Sequence, residues 1–246
     1  MSGAPSRDIP LADTFNLRDL GGYATTDGRR VRWRRLFRGA ALQRLAGGDV
    51  EMVRDLGLVT AIDLRTAGEL EARGGYPIEV LPVTFHHLPM IEAIWDLTDL
   101  DPDETPERYL VARYREMLVG GAATIAETVR ILSRPENLPA VFYCAAGKDR
   151  TGVLAALVLD ALGVEAASIV ADYHLSKERV ERIRARAGGG AMVDQPLAFM
   201  QAPEGAMELL LAWIREERGS TAAYLEGIGV ARETIASLHD NLLERQ

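Results

Sequence analysis

Apolar residues fall along this chain in two kinds of stretch, short near-continuous runs and longer segments at helical spacing, and their alternation predicts an α/β fold. Leu58-Val59-Thr60-Ala61-Ile62-Asp63-Leu64 reads as a buried strand with Asp63 near its carboxyl end, Val80 to Leu88 as another, and Ala140 to Tyr143 as the central one. Val31 to Phe37, where Arg30, Arg32 and Arg34 alternate with Val31 and Trp33, has the pattern of a half-exposed edge strand, and Asp27-Gly28 marks a turn before it. Helices are expected from Asp49 to Leu56, after Thr66 as a cap, from the Thr105-Pro106 pair onward, and from Thr124 to Leu132. The helix after Thr105-Pro106 has Leu110, Tyr114, Met117 and Leu118 as its apolar positions. The most apolar helix, Val153 to Leu162, is stopped by Gly163.

After Gly163 the pattern is helical: Ala166 to Ala187, a break at Gly188-Gly189-Gly190, an irregular stretch to Pro203, then Glu204 to Arg218, Ser220 to Gly227 and Arg232 to Glu244. The expected architecture is a central, mainly parallel sheet flanked by helices, with a helical C-terminal part. No linker divides the 246 residues, so one domain over 1–246 is expected.

Composition narrows the function. A net charge of −8 argues against broad nucleic-acid binding, which needs an extended basic surface, but leaves room for a local basic pocket. The single cysteine excludes an internal disulfide. No apolar run is long enough to cross a bilayer, so no transmembrane segment is expected. The start, Met1 to Leu11, has no apolar signal core. The cytoplasm is the expected location, with export by a route lacking a cleaved signal left open. His86 and His87 have no paired Cys or acidic spacing that would mark a metal site, and His174 and His239 are lone helix residues. No metal and no cofactor are expected.

The lone cysteine lies at the end of the central strand, in Cys144-Ala145-Ala146-Gly147-Lys148-Asp149-Arg150-Thr151-Gly152, directly before the apolar helix. A loop of this length can wrap a tetrahedral oxyanion, with a sulfur on one side and a guanidinium around the rest. A helix N-terminus beside an arginine favours the thiolate, the nucleophilic form of cysteine. Arg150 can donate two parallel hydrogen bonds to phosphate oxygens, and Gly147 permits the turn the wrap requires. Thr151 is placed to hydrogen-bond the sulfur as leaving group. Given the cysteine, the Gly, Arg, hydroxyl and Gly that follow at these spacings arise by chance on the order of 1 time in 10,000. A nucleotide P-loop is excluded, because Asp149 follows Gly147-Lys148 and Phe142 stands where the first glycine would be.

This stretch is similar to the C-x-x-G-K-D-R-T-G loop of bacterial tyrosine phosphatases of the mycobacterial PtpB type. Asn16-Leu17-Arg18-Asp19-Leu20-Gly21-Gly22, Leu36-Phe37-Arg38-Gly39-Ala40, Asp63-Leu64-Arg65 with Glu69, and Tyr224-Leu225 followed by Gly229-Val230 resemble family segments in the family's order. Tyr143 departs from the pattern, since cysteine phosphatases commonly carry His before the nucleophile. The resemblance implies a tyrosine-phosphatase-like fold and a metal-independent protein-tyrosine or dual-specificity phosphatase. Its expected substrates are phosphotyrosine proteins or phosphoinositides.

Roles follow from the loop chemistry and the resemblance together. Cys144 is the expected nucleophile, forming a phosphocysteine. Arg150 and the backbone amides of Ala145, Ala146, Gly147, Lys148, Asp149 and Arg150 stabilise the equatorial oxygens. The proton donor is Asp149, which the resemblance favours, or Asp96, in Ile94-Trp95-Asp96. Lys148 is either a solvent-facing loop residue or an extra cation for a second phosphate. Asp63 contacts substrate or orients Arg150, or else pairs structurally with Arg65 or Arg18. Arg179, Arg182 and Arg186 share one helix face, which is either solvated or attracts an anionic substrate. The resemblance implies a lid over the site at about 188–203. Two other readings remain at this level, a rhodanese-like sulfurtransferase and an inactive phosphate-binding module.

Overall fold

The computed structural model of the chain describes residues 6–12, 14–95, 104–177 and 202–244. Its frame is a five-stranded sheet of β1 (Arg18–Asp19), β2 (Leu36–Ala40), β3 (Thr60–Asp63), β4 (Thr84–His87) and β5 (Ala140–Cys144), in the order β1-β2-β5-β3-β4. Only β1 runs antiparallel to its neighbour. The helices are α1 (Gly48–Arg54), α2 (Ala67–Arg73), α3 (Pro106–Gly120), α4 (Ala122–Leu132), α5 (Asp149–Ala161), α6 (Ala166–His174), α7 (Glu204–Arg218), α8 (Thr221–Gly227) and α9 (Arg232–Leu242). A short 3-10 turn at Pro135–Asn137 leads into β5. The expected mainly parallel sheet flanked by helices is present.

Every residue of β2, β3 and β5 is buried, as expected of parallel strands covered on both faces. Alternation along the strands splits the core in two. Leu36, Ile62, Ala140 and Phe142 face a large cluster built with the helices from α3 to α9, while Phe37, Ala61, Val141 and Tyr143 face a smaller one with Leu42, Val53, Leu56 and Tyr76. Cys144 falls on the large-cluster side and Tyr143 on the other. Against the large face, α3 packs on α7 and α4, and α6 lies between α5 and α7. No helix among the described residues is long and apolar enough to cross a membrane.

One expectation about elements is corrected and another is refined. The edge strand predicted over Val31 to Phe37 is displaced: the strand begins at Leu36 and pairs in parallel with central β5. Arg30 and Val31 form isolated antiparallel bridges to Ala24 and Leu243, and Arg34 sits in a turn at φ 58°, with its N–H donating to Asp19 Oδ2 at 2.7 Å, so the arginine alternation precedes the strand rather than belonging to it. The long helix predicted from Ala166, in which the His174 ring Nδ1 lies 2.8 Å from the Ala202 carbonyl oxygen, is interrupted at Leu175, a turn residue, and helical backbone resumes at 176–177. Its predicted continuation past residue 177 lies outside the described residues, as do Arg179, Arg182, Arg186 and residues 188–201 of the expected lid.

Candidate active site

Cys144 ends β5 and α5 begins at Asp149, so the intervening loop must reverse the chain in four residues. Gly147 makes that reversal. Its φ is 68°, and a Cβ there would fall 2.4 Å from the Gly39 carbonyl oxygen on β2. Ala145 and Ala146 are half-buried.

The outward-facing carbonyls of the loop are held from behind. Arg38 Nη2 donates to the Gly147 carbonyl at 2.8 Å, and Asn16 Nδ2 donates to the Gly147 and Ala146 carbonyls at 2.9 and 3.1 Å. In a trans peptide the N–H points opposite to the C=O, so these bonds turn the N–H groups of Gly147 and Lys148 toward the inner side of the loop. Loop amides aimed inward at a helix N-terminus form an anion cradle.

The clamp rests on a buried charge network. Asp172 of α6 receives Arg18 Nε at 2.8 Å, Arg38 Nη1 at 2.5 Å and the Tyr23 hydroxyl at 3.1 Å. Arg18 also donates to Asn16 Oδ1, fixing the amide that holds the loop. Burial pushes the Asp172 carboxyl up, but the charges of Arg18 and Arg38 outweigh it and hold the group well below the usual carboxylate range. Burial, with the charge of Arg18 beside it, brings Arg38 down to about 10, so it remains a cation at neutral pH.

Arg150 is positioned by α2. Its Nη1 and Nη2 donate to Glu69 Oε2 and Oε1 at 2.5 and 3.0 Å, a two-point fork. Glu69 is fixed by a capping box with Thr66: the Thr66 N–H donates to Oε2 at 2.9 Å and the Glu69 N–H to Thr66 Oγ1 at 3.2 Å. Burial works against the Arg150 charge, but the Cys144 sulfur and the Glu69 carboxylate raise its affinity for the proton above that of a free arginine. The guanidinium thus lies within electrostatic reach of the sulfur. Burial likewise opposes the Glu69 charge, and Arg150 more than compensates, lowering its pKa.

Asp149, half-buried at the first position of α5, accepts the Tyr114 hydroxyl at 2.6 Å and faces the Lys148 ammonium at 3.0 Å, both through Oδ1. Burial first, and the Asp149 charge second, hold the hydroxyls of Tyr114 and Tyr173 protonated far above neutral pH. Trp95 packs 6.4 Å from the Tyr114 ring and forms one wall of a cavity of about 620 Å³, with Ala67, Met90, Ile91, Arg113 and Met117 among the other lining residues.

Two open alternatives, at Asp63 and Lys148, are narrowed and one expectation, at Thr151, changes. Asp63, expected among the substrate-binding residues, neither orients Arg150 nor faces the loop. Its carboxylate is fully buried against Arg65, with Oδ2 2.6 Å from Nη2. The register pairs Asp63 with Tyr143, on the sheet face opposite Cys144, so strand alternation removes it from the site. Thr151 does not hydrogen-bond the sulfur; the first turn of α5 buries it completely, and its hydroxyl has no hydrogen-bond partner among the described residues. Lys148 is 4% exposed, so it is not solvent-facing. The alternative acid, Asp96, lies outside the described residues. Three of the four histidines bond to backbone carbonyls, His174 on that of Ala202, His87 on that of Arg65 at 2.9 Å and His239 on that of Ala161 at 2.7 Å.

Sequence reasoning missed the back of the site. Asp172 had a visible signal, since it sits with Ile169 and Tyr173 at core spacing on an apolar helix, where an unpaired carboxylate would be costly. Tyr114 was counted as an apolar core position, although a buried tyrosine hydroxyl needs a partner.

The family comparison matches residues 9–244 to the tyrosine phosphatase family. The chain belongs to that family. Triple specificity protein phosphatase PtpB of Mycobacterium tuberculosis is 30% identical over 96% of this chain and 99% of its own length. A tyrosine-protein phosphatase of Nostoc commune is 29% identical over 82% of this chain and 71% of its own. Among solved structures, the Siw14 catalytic core matches 68% of this chain and 79% of its own with a TM-score of 0.39 and 11% identity.

Proposed function

We propose that this phosphatase hydrolyses phosphomonoesters without a metal, in two steps through a phosphocysteine at Cys144. Its substrates are phosphotyrosine in proteins and, with dual specificity, phosphoserine or phosphothreonine and phosphoinositides. The observation that carries the reading is the Arg150 fork: a guanidinium fixed by Glu69 and electrostatically coupled to the only cysteine, beside a loop with its carbonyls pulled outward.

In the first step the Cys144 thiolate attacks phosphorus in line, the S–P bond forms, and the ester P–O bond breaks. Arg150 and the inward amides take up the charge on the equatorial oxygens. The proton of Asp149 passes to the leaving oxygen. In the second step water attacks phosphorus and gives a proton back to the Asp149 carboxylate. The S–P bond breaks, and inorganic phosphate and the thiolate are released. The cavity walled by Trp95 and Met90 is assigned to the body of the substrate. A reducing, cytoplasmic setting belongs to the proposal, because Cys144 has no second cysteine in the chain to protect it. Triple specificity in the name of the M. tuberculosis relative supports the breadth of substrate.

Hydrolysis of p-nitrophenyl phosphate in EDTA tests the mechanism. Wild type is expected to turn over, Cys144→Ser to be inactive, and Asp149→Ala to be slowed. Turnover that needs added metal, or that survives Cys144→Ser, overturns it. Release of phosphate from phosphotyrosyl and phosphoseryl peptides and from phosphoinositide vesicles ranks the substrates.

A further inference from the structure

The two oxygens of the Asp149 carboxylate are not equivalent. Oδ1 accepts the Tyr114 hydroxyl at 2.6 Å and lies 3.0 Å from the Lys148 ammonium in an ion pair. The Tyr114 hydroxyl also lies 2.7 Å from that of Tyr173. A phenol has one proton to donate. Tyr114 uses its proton on Asp149, so the proton between the two tyrosines is Tyr173's, and the donors run in one direction, from Tyr173 through Tyr114 to Oδ1. A proton carried on Oδ1 would be set against the Tyr114 donor and beside the Lys148 charge. Oδ2 does not receive the Tyr114 hydroxyl.

We propose that Tyr114, backed by Tyr173, is a positioning residue that keeps the transferable proton of Asp149 on Oδ2 and presents that oxygen to the leaving group. The proposal rests on Asp149 being the general acid. In the first step the Oδ2–H bond breaks and its proton passes to the ester oxygen as the P–O bond breaks. The resulting carboxylate already has the Tyr114 donor on Oδ1 and the Lys148 ammonium beside it, so no group has to move to accept the new charge. In the second step Oδ2 takes the proton of the attacking water.

The setting fits a fixed device. Tyr114 on α3 and Tyr173 on α6 are essentially fully buried, and their rings meet edge to face at 6.2 Å. A pair of hydroxyls in an apolar core is costly unless each has a partner, and Asp149 supplies the end of the chain. At the first turn of α5, a Cβ on Gly152 would fall 3.0 Å from Tyr173 Cδ2, so the missing side chain admits the ring at this distance.

Leaving-group dependence tests the proposal, because a poor leaving group needs the proton and a good one does not. The rates compared are kcat/KM for p-nitrophenyl phosphate, phenyl phosphate and an alkyl phosphate, with inhibition by inorganic phosphate as a check on the loop. In Tyr114→Phe the alkyl and phenyl substrates are expected to lose on the order of tenfold to a hundredfold, p-nitrophenyl phosphate less than about threefold, and phosphate inhibition nothing. Tyr173→Phe, which leaves the Tyr114 donor in place, is expected to shift the same ratio by a smaller factor, and it carries the test if Tyr114→Phe fails to fold. Equal losses on all three substrates, or none, overturn the proposal. Asp149→Ala separates the two levels. If it leaves the leaving-group dependence unchanged, the acid assignment itself fails; if it steepens the dependence and the tyrosine variants do not, only the positioning role fails.

Discussion

Glu69 accepts both arms of the Arg150 guanidinium, Nη1 at 2.5 Å and Nη2 at 3.0 Å, and is itself locked into the first turn of α2 by Thr66. The orientation of the residue proposed to hold the phosphate thus depends on a helix cap more than 80 positions earlier in the chain. Glu69→Gln keeps the shape but removes the charge and one acceptor from the fork. Since a misplacement of about 1 Å can cost on the order of a hundredfold in rate, kcat/KM is expected to fall by roughly tenfold to a hundredfold, with weaker inhibition by inorganic phosphate. Unchanged phosphate inhibition would show that Arg150 does not need the fork.

Asp172 is the keystone behind the loop, holding Arg18 and Arg38 together. Asp172→Asn leaves two buried cations without their counter-ion, and a loss of about 3–5 kcal/mol in unfolding free energy is expected in denaturant titrations. The pH dependence has a definite sign. The folded-state pKa of Asp172 is depressed, so its stabilisation is complete above the ordinary carboxylate range and is lost as pH falls below it. Glu69, also lowered, adds in the same direction. Wild-type stability should therefore decline from about pH 4 downward, and Asp172→Asn should show a shallower decline from a lower plateau. Parallel curves would contradict the linkage.

Gly147 is constrained twice, by a positive φ and by the β2 backbone against its Cα. Gly147→Ala would place a methyl carbon where Gly39 already lies, so either β2 or the loop must move. Activity is expected to fall at least tenfold, together with a loss of about 1–3 kcal/mol in stability. A wild-type rate in this variant would show that the loop does not need this shape.

The loop was legible because its chemistry is contiguous: cysteine, glycine, arginine and helix follow one another within Cys144 to Leu162. The parallel sheet was legible too, since buried strands such as Thr60–Asp63 and Ala140–Cys144 stand out as apolar runs. Strand β2 was misplaced because the arginines before it imitate edge alternation, while Arg38 within it is buried by an ion pair to a residue 134 positions away. Asp63 was misjudged for a related reason. Being at the right end of a strand does not say which face the side chain takes; that depends on register with β5. Partners distant in sequence, Asp172 for Arg38 and Tyr114 for Asp149, could be found only once α3 and α6 were packed against α5.

Trp95 stands between the proposed chemistry and the proposed substrate body. One neighbour is Tyr114, at 6.4 Å and tilted; the other is Tyr109, at 6.4 Å and edge-on. Its indole also walls the cavity that runs past Met90 and Ile91. If the wall acts on binding, Trp95→Ala removes contact area for an aromatic or apolar substrate body, and an aromatic contact of about 0.5–1.5 kcal/mol corresponds to a rise in KM of roughly twofold to tenfold for a phosphotyrosyl peptide. In that case kcat and inhibition by inorganic phosphate stay within about twofold of wild type, because phosphate alone does not reach the wall. If kcat instead falls most for poor leaving groups, Trp95 acts by holding Tyr114, and the cavity is not where the substrate body binds.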